Sequence, residues 1–264
     1  MTDLRPMLDR MIALALDAGA TAMEIYGSDF EVETKDDDSP VTKADQLGET
    51  IILNGLRASY PDIPVLAEEA ASEGALPELG SRFFLVDPLD GTKEFVKRTG
   101  EFTVNIAYVE NGAPVAGVVY APAADTLYYG ARGLGAFQRA TGSQVGGGED
   151  DRKISARIAP EDGLAAVVSR SHRSPETDEF LKDYKIADYK AAGSSLKFCL
   201  VAKGEADIYP RLGRTMEWDT GAGQAVLEAA GGHVVDLETG RELTYGKRTR
   251  GFDNPHFCAY GRTG

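Results

Sequence analysis

The chain has 264 residues, 42% hydrophobic and 27% charged, a composition that excludes a disordered or fibrous polymer and provides for one large or two smaller packed cores. Its 42 acidic against 28 basic side chains give a formal net charge of −14, which repels nucleic-acid backbones and anionic membrane surfaces. An anionic small substrate would therefore need bound cations or a few well-placed Lys and Arg side chains.

Leu4, Met7, Leu8, Met11, Ile12, Ala15, Leu16 and Ala18 recur mostly at three-and-four spacing and predict a long amphipathic helix. A second helix is predicted after Thr42, through Leu47, Ile51 and Leu56, to the stop at Tyr60-Pro61. Strand-like runs follow at 65–67, 83–86, 103–109 and 114–120, and the last two flank Asn111-Gly112, a hairpin signal. Residues 141–151 are glycine-rich and acidic, with nothing to bury, so a division into halves 1–150 and 151–264 is expected there. Beyond it the pattern alternates: strand 165–169, helix 176–184, a strand, helix 194–203, strand 206–210, helix 219–230 and a strand. The reading is an α/β second half after a first half of two helices and a largely antiparallel sheet, with no internal repeat.

No apolar run reaches the roughly 20 residues of a membrane span, and residues 1–10 lack a signal-peptide pattern, so a cytoplasmic location is expected. Cys199 and Cys258 are far apart and lack ligand spacing, so they read as reduced thiols rather than a disulfide or zinc site.

The most informative segment is Arg82-Phe83-Phe84-Leu85-Val86-Asp87-Pro88-Leu89-Asp90-Gly91-Thr92, an apolar strand ending in two carboxylates, a proline, a glycine and a hydroxyl. Pro88 fixes its own φ and Gly91 permits close backbone approach, so the turn can aim Asp87 and Asp90 at one point while leaving amides for an anion. Hard oxygen ligands beside such a cradle suit Mg²⁺ and phosphate. Three further acidic elements each have a structural explanation when taken alone. Glu68-Glu69 after the strand 65–67 could be a solvated face, Asp219 beside Trp218 a helix cap and Asp45 a first-turn residue complementing a helix dipole. Trp218 itself reads as a core anchor. Taken together, they supply the carboxylates, hydroxyl and donors that metal-assisted phosphoryl transfer to water requires.

These residues resemble the inositol monophosphatase superfamily: Leu66-Ala67-Glu68-Glu69, Asp87-Pro88-Leu89-Asp90-Gly91-Thr92, and Trp218-Asp219 followed by Ala229-Ala230-Gly231-Gly232, in that order and spacing. Asp90-Gly91-Thr92-Lys93-Glu94-Phe95, Gly193-Ser194-Ser195-Leu196-Lys197-Phe198-Cys199 and Tyr209-Pro210-Arg211 are more similar to its 3′(2′),5′-bisphosphate nucleotidase branch. The resemblance implies a layered αβαβα sandwich with the site between the halves. It also implies two or three Mg²⁺ ions held by Glu68, Asp87, the Leu89 carbonyl, Asp90 and Asp219. Asp45 and the Thr92 hydroxyl would orient the attacking water, while Gly91 and Thr92 would offer amides to the scissile phosphate. His172, Ser194, Lys197 and Arg211 would face the rest of the substrate, Lys197 and Arg211 meeting a second phosphate. The implied reaction is hydrolysis of the 3′-phosphate of adenosine 3′,5′-bisphosphate by metal-activated water. A homodimer and peripheral contact with the cytoplasmic face of the inner membrane are compatible with the resemblance.

An inositol or fructose-bisphosphate phosphatase of the same superfamily would share the metal residues and differ in the pocket. A haloacid dehalogenase-type enzyme needs two aspartates separated by one residue, whereas Asp87 and Asp90 are separated by two. A non-catalytic Ca²⁺ or ligand module lacks its regular loop spacing here and gives the Gly91-Thr92 cradle no purpose.

Overall fold

A computed structural model of the chain describes residues 3–34, 40–142, 151–169 and 174–263. In chain order the first part comprises α1 (Arg5–Tyr26), a two-stranded ribbon of β1 (Glu33–Thr34) and β2 (Pro40–Val41), α2 (Lys43–Ser59), β3 (Val65–Ala67), α3 (Glu68–Ser72), β4 (Arg82–Asp90) and α4 (Thr92–Val96). It continues through β5 (Thr103–Glu110), β6 (Ala113–Ala121), β7 (Thr126–Ala131), β8 (Gly135–Ala140) and β9 (Arg152–Ile154). There follow β10 (Leu164–Ser169), α5 (Pro175–Leu181), β11 (Ile186–Ala192), α6 (Leu196–Ala202), β12 (Ile208–Arg211), α7 (Glu217–Ala229), β13 (His233–Asp236), β14 (Arg241–Glu242) and β15 (Phe257–Tyr260).

Strands β3 to β9 form one seven-stranded sheet in sequence order, parallel only between β3 and β4. Its last strand, β9, follows the glycine-rich stretch and pairs with β8 across it; residues 143–150 lie outside the described residues. The second sheet has the order β11-β10-β12-β15-β13-β14. Helices α1 and α2 cover one face of the first sheet, where Met11, Leu14, Ile52 and Leu56 pack against Phe84, Ile106 and Val118. The opposite face packs on α6 and α7, which in turn carry the second sheet through Phe198, Tyr209, Val226 and Phe257. Leu181 of α5 closes the outer face of that sheet against Ala166, Val168 and Ile208. The five layers are therefore α, β, α, β, α, as the resemblance implies. Gly117 of β6 lets α7 sit directly on the sheet, because a Cβ there would lie 2.4 Å from the Ala222 carbonyl oxygen.

The predicted hairpin is present, with Asn111 and Gly112 both at positive φ between β5 and β6. Trp218 is buried, in keeping with a core anchor. Two expectations need correction. Leu47, placed on the apolar stripe of α2, is 48% exposed; the buried face instead runs through Ala44, Asp45, Gly48, Glu49, Ile52, Leu53 and Leu56. The helix predicted from residue 194 starts at Leu196, because Ser194 takes a left-handed φ of 50° that a helix cannot continue.

Candidate active site

The site forms where β4 breaks its register. Asp87 stands opposite Asn105 and Asp90 opposite Thr103, so β4 spends three residues where β5 spends two, a bulge in which Pro88 has no amide to lose. The Leu89 amide donates to Asp87 Oδ1 at 2.9 Å, fixing that carboxylate in the fully covered turn. Gly91 then reverses the chain at φ 96°, ψ 40° and starts α4. A Cβ at this position would lie 2.6 Å from Ser194 Oγ and 3.0 Å from the Glu101 carbonyl, so only glycine fits.

Two helices deliver carboxylates by the same device. Asp45 is the third residue of α2 and accepts the Thr42 amide and hydroxyl on Oδ2, at 2.8 and 2.7 Å. Asp219 is the third residue of α7 and accepts the Met216 amide on Oδ2 at 2.8 Å. Asp45 therefore has the first-turn place expected of it, while Asp219, expected as the N-cap, caps α7 from the third position with Met216 as N-cap. Asp45 Oδ1 accepts the Thr92 hydroxyl at 3.1 Å, which joins the two residues assigned to water.

Electrostatics tie the carboxylates together. Burial, then Glu68, Asp90 and Asp219, hold the Asp87 carboxyl well above its ordinary value. Burial, then Asp90 and Glu68, do the same for Asp219. Asp90 is pushed up to about 6 by burial, with Lys197 opposing and Glu68 adding to the rise. Asp45 is raised chiefly by burial, with Glu68 contributing. Lys197 is 7% exposed, and burial lowers its ammonium to about 8 against the pull of Asp90. A lone lysine of this kind reads from sequence as a solvated surface charge, yet the fold buries it beside a carboxylate, its Nζ 5.7 Å from the centre of the Tyr209 ring.

Glu68, Asp90, Gly91, Thr92, Ser194, Lys197, Arg211 and Asp219 line one cavity of about 360 Å³, drawing residues from both sides of the glycine-rich stretch. Asp45, Asp87 and Leu89 are not part of that lining and are each about 1% exposed. Ser194 Oγ donates to the Asp90 and Glu101 carbonyls at 2.9 and 2.6 Å, which pins the α6 approach to the Asp90 turn. Ser195 Oγ similarly donates to the Asp219 carbonyl at 2.7 Å. Arg211 Nη2 donates to the Arg214 carbonyl at 2.9 Å, while its buried Nε–H has no partner among the described residues. His172 lies outside the described residues.

The donor set matches hard divalent cations: carboxylates and a carbonyl, oxygen only, whose burial and mutual repulsion Lys197 and Arg211 offset only in part. The fully buried Asn105 agrees, since its Nδ2 reaches Asp90 Oδ2 at 3.4 Å while its Oδ1 has no partner among the described residues. Among the described residues, no three His, Cys, Asp or Glu side chains close into a ready-made metal cage, so the carboxylates share a rim rather than a finished shell. The sequence reading missed Asn105, Ser195 and Glu49. For Asn105 the signal was available, as a polar residue in the otherwise apolar run of β5.

Residues 3–256 match the inositol monophosphatase family, nearly the whole chain. The chain belongs to that family. Over 253 residues it is 47% identical to the 3′(2′),5′-bisphosphate nucleotidase CysQ of Salmonella typhimurium, covering 95% of this chain and 98% of the relative. The same figures for coverage hold for the 3′(2′),5′-bisphosphate nucleotidase CysQ of Escherichia coli K12, at 45% identity. Among solved family members, CysQ from Bacteroides thetaiotaomicron superimposes with a TM-score of 0.81 at 37% identity over 99% of both chains. An inositol monophosphatase from Anabaena gives 0.75 at 28% identity, covering 99% of this chain and 93% of that one. Among the described residues, no helix is long and apolar enough to cross a membrane.

Proposed function

We propose that the chain is a magnesium-dependent phosphatase that hydrolyses the 3′-phosphate of adenosine 3′,5′-bisphosphate to give AMP and phosphate. The observation that carries this reading is one cavity lined both by carboxylates and by two cations: Lys197, which is buried, and Arg211, whose buried Nε–H has no partner among the described residues. The first suits metal-assisted attack on one phosphate and the second suits a phosphate that does not react. High identity to bisphosphate nucleotidases over the full length supports the same choice.

Glu68, Asp87, the Leu89 carbonyl, Asp90 and Asp219 would hold the ions. Bound Mg²⁺ would lower the pKa of its water and neutralise charge developing on the phosphoryl oxygens. Thr92 Oγ1 donates to Asp45 Oδ1, so its lone pairs are left to accept a water O–H and align that water for in-line attack. The amides of Gly91 and Thr92, at a turn that admits no Cβ, can approach the phosphate closely. The water oxygen bonds to phosphorus, the P–O3′ bond breaks and the nucleoside oxygen leaves protonated, with no phosphoenzyme. Two or three ions, a homodimer, peripheral membrane contact and a His172 contribution enter this reading from the family resemblance alone, and a cytoplasmic location from the sequence pattern. Metal titration and light scattering check the first two.

An inositol monophosphatase would use the same carboxylates but give Lys197 and Arg211 no second phosphate, whereas a fructose-bisphosphate phosphatase would offer them one on a sugar instead of a nucleoside. Phosphorus NMR of the products decides the regiochemistry: 5′-AMP is expected, and 3′-AMP or an unreacted nucleotide would overturn the assignment.

A further inference from the structure

Helix α3 is five residues long, and its N-cap, Ala67, has no side chain able to cap it. Its first amides need acceptors from elsewhere. Glu49, on the buried face of α2, provides them: Oε2 accepts the Glu69 amide at 2.7 Å and Oε1 accepts the Ala70 amide at 2.9 Å. Both bonds are charge-assisted, and the carboxylate sits where the helix start is most positive. Glu49 is 6% exposed, so little competing water reaches the pair.

This contact fixes the turn from which Glu68 projects into the cavity. It also starts one helical turn from Asp45, at i+4 on the same helix face, so α2 carries both the water-orienting carboxylate and the clamp on Glu68. We propose that Glu49 is a positioning residue for the metal site, setting Glu68 relative to Asp45 without touching the ions. The proposal rests on the assignment of Glu68 as a metal ligand. Groups that orient a metal ligand from behind typically contribute roughly 10–100-fold to affinity.

The test measures Mn²⁺ binding to the full-length protein by titration with electron paramagnetic resonance, for wild type, Glu49→Gln, Glu68→Gln and the double variant. Gln keeps the size but sets an NH₂ group against a backbone N–H. Glu49→Gln is expected to weaken Mn²⁺ binding roughly tenfold. The double variant is expected to bind little worse than Glu68→Gln, because the two act through one ligand. A purely structural role would lower the melting temperature and leave Mn²⁺ affinity at the wild-type value, which would overturn the proposal, as would effects that multiply independently. If Glu68→Gln itself binds Mn²⁺ normally, the underlying metal assignment fails instead. Should Glu49→Gln not fold, Glu49→Asp keeps the charge, shortens the reach and is expected to weaken Mn²⁺ binding in the same direction; unchanged affinity there also overturns the proposal.

Discussion

Replacing Asp90 with Asn separates two roles proposed for this carboxylate, binding metal and straining the metal-free fold. Burial, opposed by Lys197 and reinforced by Glu68, lifts its carboxyl from 3.8 to about 6. A rise of that size corresponds to roughly 3 kcal/mol of disfavoured ionisation. Asp90 keeps part of its surface on the cavity, and screening there reduces the figure to about 1–2 kcal/mol. The sign follows from proton binding: the folded chain holds this proton more tightly than the unfolded chain, so the stability it contributes is present below the ordinary carboxylate range and is lost as pH rises through about 6. Asn cannot ionise. Without metal at about pH 7.5, Asp90→Asn is therefore expected to melt about 3–6 °C higher than wild type, with little gain at about pH 4. Mg²⁺ should raise the melting temperature of wild type but not of the variant, and turnover should fall by orders of magnitude. Scanning calorimetry with and without Mg²⁺, paired with a phosphate-release assay, reads all three. A variant that melts at or below wild type in metal-free buffer, or that turns over within a few-fold at saturating Mg²⁺, refutes the reasoning.

Lys197→Ala and Arg211→Ala should each cut kcat/KM for the 3′,5′-bisphosphate by roughly a hundredfold, yet cost a nucleoside 3′-monophosphate far less, because only the former carries the second anion. Equal losses on both substrates would remove the phosphate roles of these residues. Thr92→Val keeps the volume and deletes the hydroxyl that bonds Asp45; kcat should drop roughly 10²–10³-fold while KM barely moves, and a change confined to KM would contradict the water-orienting role. Gly91→Ala forces an L side chain to φ 96° and places a Cβ 2.6 Å from Ser194 Oγ. It should cost roughly 1–3 kcal/mol in denaturant unfolding, and a neutral result would show that the turn relaxes.

What the sequence made legible follows its local chemistry. The Asn111-Gly112 turn demands positive φ at both positions, and the structure has it. The α1 stripe is equally plain, since Met7, Leu8, Met11, Ala15 and Ala18 are all buried. On α2 the same logic slipped, because its buried face includes Asp45 and Glu49, which hydropathy counts as surface; placing Leu47 inside was the result. The short strands Thr126–Ala131 and Gly135–Ala140 went unread, since their order comes from ladder pairing with β6 and with each other rather than from a local pattern. At the site, motif residues were legible as types, but their convergence was not. The β4 bulge, the burial of Lys197 and the Glu49 clamp all depend on contacts between segments 15 or more residues apart in the chain.

The central claim, that metal-binding carboxylates and a second anion subsite share one cavity, is tested most directly by phosphate release with Mg²⁺ from adenosine 3′,5′-bisphosphate, inositol 1-phosphate and fructose 1,6-bisphosphate, side by side, with an EDTA control. The expected result is a large preference for the nucleotide that EDTA abolishes. Preference for inositol 1-phosphate, which has no second phosphate, would contradict the roles of Lys197 and Arg211; preference for fructose 1,6-bisphosphate would contradict the nucleotide assignment, and release that survives EDTA would contradict the metal site itself.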